Sequence, residues 1–208
     1  MGLALRSSNA QCSRIDLRAR HGTPLFSDVG FTVGAGSWAH VRGANGAGKT
    51  SLLRLLAGLS HPDAGEVRWN GEKIGGEEFR RELMYLGHRA AVKEDLTALE
   101  NVQFAAEMDG VKISEEQAQE ALVRFGLAGR EELPVRFLSA GQKRRVLLAR
   151  TVTRPAKLWI LDEPFTALDV KAVDFISHLV ADHVKAGGMA VLTSHQSIPL
   201  PPGQVVDL

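Results

Sequence analysis

The sequence predicts an α/β fold built on a parallel sheet, with a β-rich N-terminal part and an inserted helical region. Three observations predict it. Short apolar runs bounded by turn residues alternate with stretches of helical spacing, the segment from 15 to 41 alternates apolar and polar residues, and a helix-forming stretch interrupts the pattern midway. The chain has 208 residues, 44% hydrophobic and 24% charged, which suits one globular domain.

Between Gly and Pro punctuation, Ile15 to Val41 carries Phe31, Val33, Trp38 and Val41 in alternation and is expected to form short antiparallel strands. Trp38-Ala39-His40-Val41-Arg42 then runs into Gly43, and Leu52, Leu53, Leu55, Leu56 and Leu59 fall at helical spacing over Thr50 to Leu59. This reads as strand, glycine loop, helix. From Leu96 to Leu127 helix formers dominate, broken at Gly110 and Gly126, with Ala118, Ala121, Leu122 and Phe125 on one stripe: a helical insertion. Leu147, Leu148 and Ala149 continue a helix after Gly141, and Leu158 to Leu161 and Met189 to Thr193 read as buried strands. The expected organisation is a single domain over 1–208, with a core of about 1–88 and 146–208 and a helical subdomain of about 89–145. The chain carries no internal repeat and no low-complexity linker.

Bulk properties narrow the function classes. Twenty-five basic and 24 acidic residues leave a net charge of +1, so overall charge gives no support for a nucleic-acid partner. Cys12 is the single cysteine, which excludes an intramolecular disulfide and suits a reducing compartment. Met1 to Cys12 lacks the charged start and apolar core of a secretory signal, and no uninterrupted apolar run exceeds four residues, against about 20 for a membrane span. Membrane association would have to come through a partner.

Gly43-Ala44-Asn45-Gly46-Ala47-Gly48-Lys49-Thr50 fits G-x-x-x-x-G-K-[ST] between a strand and a helix, with Ser51 next in the helix's first turn. Glycines there turn backbone N–H groups onto phosphate oxygens, the helix N-terminus adds its dipole, Lys49 reaches the terminal phosphates and Thr50 offers a hydroxyl to Mg²⁺. Leu158-Trp159-Ile160-Leu161-Asp162-Glu163 is an apolar strand ending in two carboxylates. Taken alone that is a solvated turn; behind a phosphate-binding loop, Asp162 is expected at the Mg²⁺ hydration shell and Glu163 as the base that orients and deprotonates the attacking water. In Leu138-Ser139-Ala140-Gly141-Gln142, Ser139 reads in isolation as an ordinary helix N-cap, yet the segment is also a second anion-binding helix end. Two such ends in one chain imply two half-sites.

In order and spacing these motifs resemble those of ABC ATPases, over about Ile15 to His195. The resemblance implies a P-loop NTPase with a RecA-like parallel sheet, binding ATP and Mg²⁺ and forming a head-to-tail homodimer on ATP binding. In that dimer Ser139, Gly141 and Gln142 of one protomer face the ATP held by residues 43–50 of the other. Ala167-Leu168-Asp169 corresponds to the D-loop, and His195, after Leu192-Thr193-Ser194, to the switch histidine that senses the γ-phosphate. The family position stacked on adenine falls on His21, whose imidazole offers less area than tyrosine and which reads equally as a turn residue.

Where the family has its Q-loop glutamine, Tyr85-Leu86-Gly87-His88-Arg89 has Arg89, and a guanidinium has no acceptor for a metal. Neutral His88 is better suited to approach a magnesium-bound water. The run Lys143-Arg144-Arg145 reads as a solvated helix face.

The short length, Ala140 within Leu138 to Gln142, Tyr85-Leu86-Gly87-His88, Leu96-Thr97-Ala98-Leu99-Glu100-Asn101, Asp162-Glu163-Pro164-Phe165-Thr166-Ala167-Leu168-Asp169 and Thr193-Ser194-His195-Gln196 together resemble more closely the ATP-binding subunits of bacterial cytochrome c maturation. That resemblance implies a peripheral haem-exporter ATPase on the cytoplasmic face of the inner membrane, bound to integral-membrane transporter subunits. No haem-ligand motif such as Cys-x-x-Cys-His occurs in the chain. Two other classes stay open at this level: a soluble ATPase of the same type acting on DNA or ribosomes, which would usually carry a second cassette or a basic surface, and a regulatory nucleotide-binding module without turnover.

Overall fold

The structure is a computed structural model and describes residues 14–20, 29–88, 91–195 and 198–208. In chain order it contains β1 (Arg14–Arg20), β2 (Val29–Gly34), β3 (Ser37–Arg42), α1 (Lys49–Leu56), β4 (Ala64–Trp69), β5 (Glu72–Lys73), α2 (Glu77–Glu82) and β6 (Leu83–Leu86). There follow α3 (Ala98–Met108), α4 (Glu115–Arg124), α5 (Ala140–Thr153), β7 (Leu158–Leu161), α6 (Val170–Lys185), β8 (Met189–Thr193) and β9 (Gln204–Asp207).

Two sheets form. A four-stranded antiparallel sheet has the order β2-β1-β4-β5, and a five-stranded parallel sheet the order β6-β7-β8-β3-β9. The parallel strands read as continuous apolar runs because both faces are covered. Leu158 and Ile160 of β7, Met189 and Val191 of β8 and Ala39 and Val41 of β3 point to one core, shared with Leu52, Leu53, Leu55 and Leu56 of α1 and with β2 and β4. Trp159, Leu161, Ala190, Leu192 and Trp38 point the other way, into a core with α3, α4, α5 and α6. Helix α1 therefore lies between the two sheets, and the helical part packs on the opposite face.

The first expectation needs correcting at one strand. β1 and β2 are antiparallel as expected, but β3 leaves that sheet and runs parallel between β8 and β9. Burial explains the switch: β2 buries alternate residues only, whereas Trp38 to Val41 is buried throughout, as an inner strand of a covered sheet requires. The helix expected from Thr50 to Leu59 is also shorter, Lys49–Leu56, and Leu59 is exposed. Gly58 at φ 70° ends it, donating to Leu55 O while the Leu59 N–H reaches Arg54 O, so a left-handed glycine satisfies the last carbonyls.

The helical insertion starts its helices where capping residues stand. Thr97 with Glu100, Ser114 with Gln117 and Ser139 with Gln142 each form a reciprocal capping box, opening α3, α4 and α5. Buried Asn101 then braces the entry to α3: its amide accepts from Lys93 N and donates to the Lys93, Leu96 and Thr97 carbonyls. Among the described residues, no helix is long and apolar enough to cross a membrane.

Two histidines tie pH to this packing. His183, near the end of α6, stacks on Trp159 with ring centroids 3.9 Å apart, and His40 in β3 lies under the strand-β8 exit loop, its Nε2 3.3 Å from Ser194 O. Burial lowers the pKa of both below the ordinary imidazole value, so the folded chain binds fewer protons than the unfolded chain in the window between the two values. Stability should therefore hold at pH 7 and fall as pH drops through the free-histidine value, about 6.5, toward the lower folded values. A thermal melt from about pH 7.5 to about 5.5 should lose midpoint, and His183→Gln should flatten the loss; equal pH slopes in both proteins would remove the assignment.

Candidate active site

The loop between β3 and α1 carries Gly43 to Gly48, and its backbone needs glycine. Gly46 and Gly48 sit at φ 85° and 99°. At Gly43 a Cβ would meet the Ala47 side chain at 3.0 Å, so the loop doubles back on itself there, closed by an Ala47 N–H to Ala44 O bond. Lys49 opens α1 and is buried, its Nζ donating to Gly43 O at 2.8 Å and Ala44 O at 3.1 Å. An ammonium has three donors, so one remains for an oxygen outside the loop.

Around this loop a cavity of about 330 Å³ is lined by Asn45, Gly46, Gly48, Lys49, Thr50 and Ser51 on one side and by His88, Asp162, Glu163 and His195 on the other. The parallel order of β6, β7 and β8 brings them together: their C-terminal ends emerge beside the start of α1, the usual place for a ligand in such a sheet. Asp162, 1% exposed, accepts from Thr50 Oγ1 and from Thr193 Oγ1, each at 2.7 Å. The Thr193 hydroxyl in turn accepts from the Glu163 N–H at 2.8 Å, so the end of β8 fixes both carboxylate residues at the end of β7.

Glu163 is held in an unusual backbone state. Its φ is 50°, and among the described residues only Asn70 and Ala167 also combine a positive φ with a side chain. The Glu163 carboxylate is buried, with Oε2 accepting from the His195 N–H at 3.3 Å. Oε1 lies 3.3 Å from His195 Nε2 without hydrogen-bond geometry, and so stays buried with unused acceptor capacity. Glu163 lines the cavity, and a carboxylate with unused acceptor capacity there can take a proton from a water.

The sequence-predicted residues divide into three groups. Asn45, Gly46, Gly48, Lys49, Thr50, Ser51, Asp162, Glu163 and His195 share this cavity, and His88 joins them, while Gly43, Ala44 and Ala47 complete the loop without lining it. Ser139, Gly141, Gln142 and Asp169 do not line it. Ser139 and Gln142 are occupied as the capping box of α5, and Asp169 caps α6 through Ala172 N while pairing with Arg145 at 2.6 Å. That capping bond, ahead of the nearby Arg145 and Lys171 charges, holds the Asp169 pKa below the usual carboxylate range. Gly141 approaches the loop before α6 so closely that a Cβ would lie 2.5 Å from Ala167 O. His21 and Arg89 lie outside the described residues.

One reading of the sequence is overturned. Lys143-Arg144-Arg145 is not a solvated face: Lys143 pairs with Glu94, Arg145 with Asp169, and Arg144 is buried. Arg144 Nη1 donates to the carbonyls of Gly87 and His88, and Nη2 to those of Asp162 and Glu163. Burial lowers its pKa, opposed by the Asp162 and Glu163 charges. A signal for it existed: Arg144 shares the i, i+3, i+4, i+7 stripe of buried Leu147, Leu148 and Thr151.

A phosphate loop, an Asp-Thr pair and a buried carboxylate beside a histidine, on a parallel sheet with a helical insertion, define a nucleotide-hydrolysing cassette. Residues 26–166 match the ABC transporter family, and the chain belongs to that family as an ATP-binding, ATP-hydrolysing subunit. Within it, the similarity is to cytochrome c biogenesis ATP-binding export proteins. The one from Dechloromonas aromatica is 49% identical over 206 residues, 98% of both chains, and that of Escherichia coli K12 is 51% identical over 176 residues, 84% of this chain and 83% of the relative. Among solved structures, a putative ABC transporter ATP-binding protein from Pyrococcus furiosus superimposes with a TM-score of 0.81 at 23% identity, covering 94% of this chain and 97% of the other. The cassette MJ0796, described as a dimeric post-hydrolysis state bound to ADP and Pi, gives a TM-score of 0.75 at 23% identity, over 88% of each chain. At that identity both likenesses speak for the fold alone.

Proposed function

We propose that the chain hydrolyses ATP with Mg²⁺ as part of a membrane exporter that delivers haem for cytochrome c biogenesis. The observation that carries the chemistry is the meeting of Thr50, Asp162 and Glu163 at the mouth of the phosphate loop. Thr50 Oγ1 and Asp162 Oδ2, 2.7 Å apart, are the hard oxygen donors that Mg²⁺ prefers, and these two residues would hold it. When bound, the ion neutralises charge on the β and γ phosphates. Residues 43–50 and Ser51 bind the phosphates, with Lys49 on the terminal ones. The Glu163 carboxylate takes a proton from water as that water's oxygen bonds to the γ-phosphorus. The bond from the γ-phosphorus to the bridging oxygen breaks, and ADP leaves. His195, in contact with Glu163, senses the γ-phosphate, and His88, which lines the same cavity from the opposite loop, would help orient water there.

Residues Ser139, Gly141, Gln142 and Asp169 act in the partner's half-site of a homodimer formed on ATP binding. Their position outside this chain's own cavity supports that reading. His21, outside the described residues, would be the residue that stacks on adenine. The chain divides into a core of about 1–88 and 146–208 and a helical subdomain of about 89–145, although α5 runs unbroken across that boundary. The subunit is peripheral, on the cytoplasmic face of the inner membrane. Haem and the cytochrome c pathway rest on the names of the relatives. Deleting the gene should leave c-type cytochromes without covalent haem while b-type cytochromes still form, read by haem staining of membrane fractions. Normal c-type staining would remove the haem assignment and leave the ATPase.

A further inference from the structure

Helix α5 reaches the two loops that flank the cavity through one side chain. Arg144, 4% exposed, spends its four terminal N–H donors on four backbone carbonyls: Gly87 at 2.9 Å, His88 at 3.2 Å, Asp162 at 2.7 Å and Glu163 at 2.8 Å. Nη2 thus grips the carbonyls on both sides of the Glu163 Cα, and Nη1 those of the loop that presents His88. The Glu163 N–H is held from the other side by Thr193 Oγ1. With φ at 50° the residue sits in a region that side chains disfavour, and it persists only where the surroundings hold both peptide groups. Arg144 supplies two of the hydrogen bonds on those peptide groups, beside the one to Thr193 Oγ1 and one from the Thr166 N–H to Glu163 O.

The same helix begins at Ser139, five residues earlier. Its first two turns pack against the loop before α6 through the close approach of Gly141 to Ala167 O and the Arg145 to Asp169 ion pair. We propose that Arg144 is a positioning residue: its planar fork sets the backbone of Glu163 and of the His88 loop relative to α5, so that any movement of the Ser139 end is felt at the base. The inference rests on the ATPase reading above. A lysine cannot replace it, because an ammonium is one point with three donors and no fork to span two loops.

The test compares wild type, Arg144→Lys, Arg144→Met, the same-helix control Lys143→Met and the binding-deficient Lys49→Ala, as full chains with their membrane partners. The readouts are the KM and kcat of MgATP hydrolysis, with a thermal melt for folding. Arg144→Lys and Arg144→Met should each lose kcat by about tenfold or more, a barrier increase of about 1.4 kcal/mol, with KM for ATP within about twofold of wild type. Lys143→Met should stay near wild type. Retention of kcat within about threefold by Arg144→Lys overturns the positioning role and reduces Arg144 to a buried charge; so does a rise of KM in step with the loss of kcat. If Arg144→Met melts without a transition, the lysine variant alone decides. Wild type indistinguishable from Lys49→Ala would remove the ATPase reading and this inference with it, whereas hydrolysis by wild type with a matching Arg144→Lys removes only the inference.

Discussion

Glu163→Gln is expected to lower kcat for ATP by at least about a hundredfold while leaving ATP affinity near wild type, because an amide cannot accept the proton that the attacking water must lose. The substitution is nearly isosteric, and the main-chain bonds at residue 163, from its N–H to Thr193 and from Arg144 to its carbonyl, do not involve the carboxylate. Folding should therefore be unchanged. Among the described residues, the hydrogen bond at risk is the His195 N–H to Oε2, which the amide oxygen can still accept when it faces that way. With hydrolysis blocked, a dimer sandwiching ATP between residues 43–50 of one chain and 139–142 of the other should accumulate. Size exclusion with MgATP is the direct measurement. A variant that hydrolyses at the wild-type rate ends the assignment of Glu163 as base, and one that stays monomeric with ATP bound counts against the composite site.

Lys49→Ala should fail at the earlier step. The ammonium is a fixed cation lining the cavity, and a charge-assisted hydrogen bond to phosphate contributes about 1.5–3 kcal/mol, so ATP affinity should fall by about ten- to a hundredfold. The variant also removes the donor to the Gly43 and Ala44 carbonyls, which loosens the loop that must present its N–H groups to the phosphates. Fluorescent-nucleotide titration separates it from Glu163→Gln: one loses binding, the other turnover. Unchanged affinity in Lys49→Ala would place its role after binding.

Side by side, the two variants show which parts of the site are local and which are assembled. The phosphate loop is legible from eight consecutive residues because backbone N–H groups, glycine freedom and a helix start are all properties of neighbouring positions. The same holds for the three capping boxes that open α3, α4 and α5, where the reciprocal partners stand three residues apart. The buried strands β7 and β8 are legible for a related reason: a strand covered on both faces is an unbroken apolar run.

Pairings between distant segments were not legible. That β3 abandons the antiparallel sheet depends on which partners cover its second face, which no local alternation encodes. The hydroxyl of Thr193 bridging to Asp162 and Glu163, 31 and 30 residues away, exists only because β7 and β8 are neighbours in the parallel sheet. The clearest case is Arg144. By itself the sequence determined a basic run at the start of an amphipathic helix, and charge is ordinarily solvated. Only the tertiary structure decided otherwise, because four carbonyls from two loops, at 87–88 and 162–163, converge on the buried stripe of α5 and compensate the desolvation of the guanidinium. Local chemistry follows from residues within one turn or one loop of each other, whereas a buried cation is tolerable only where remote chain segments bring their oxygens to it.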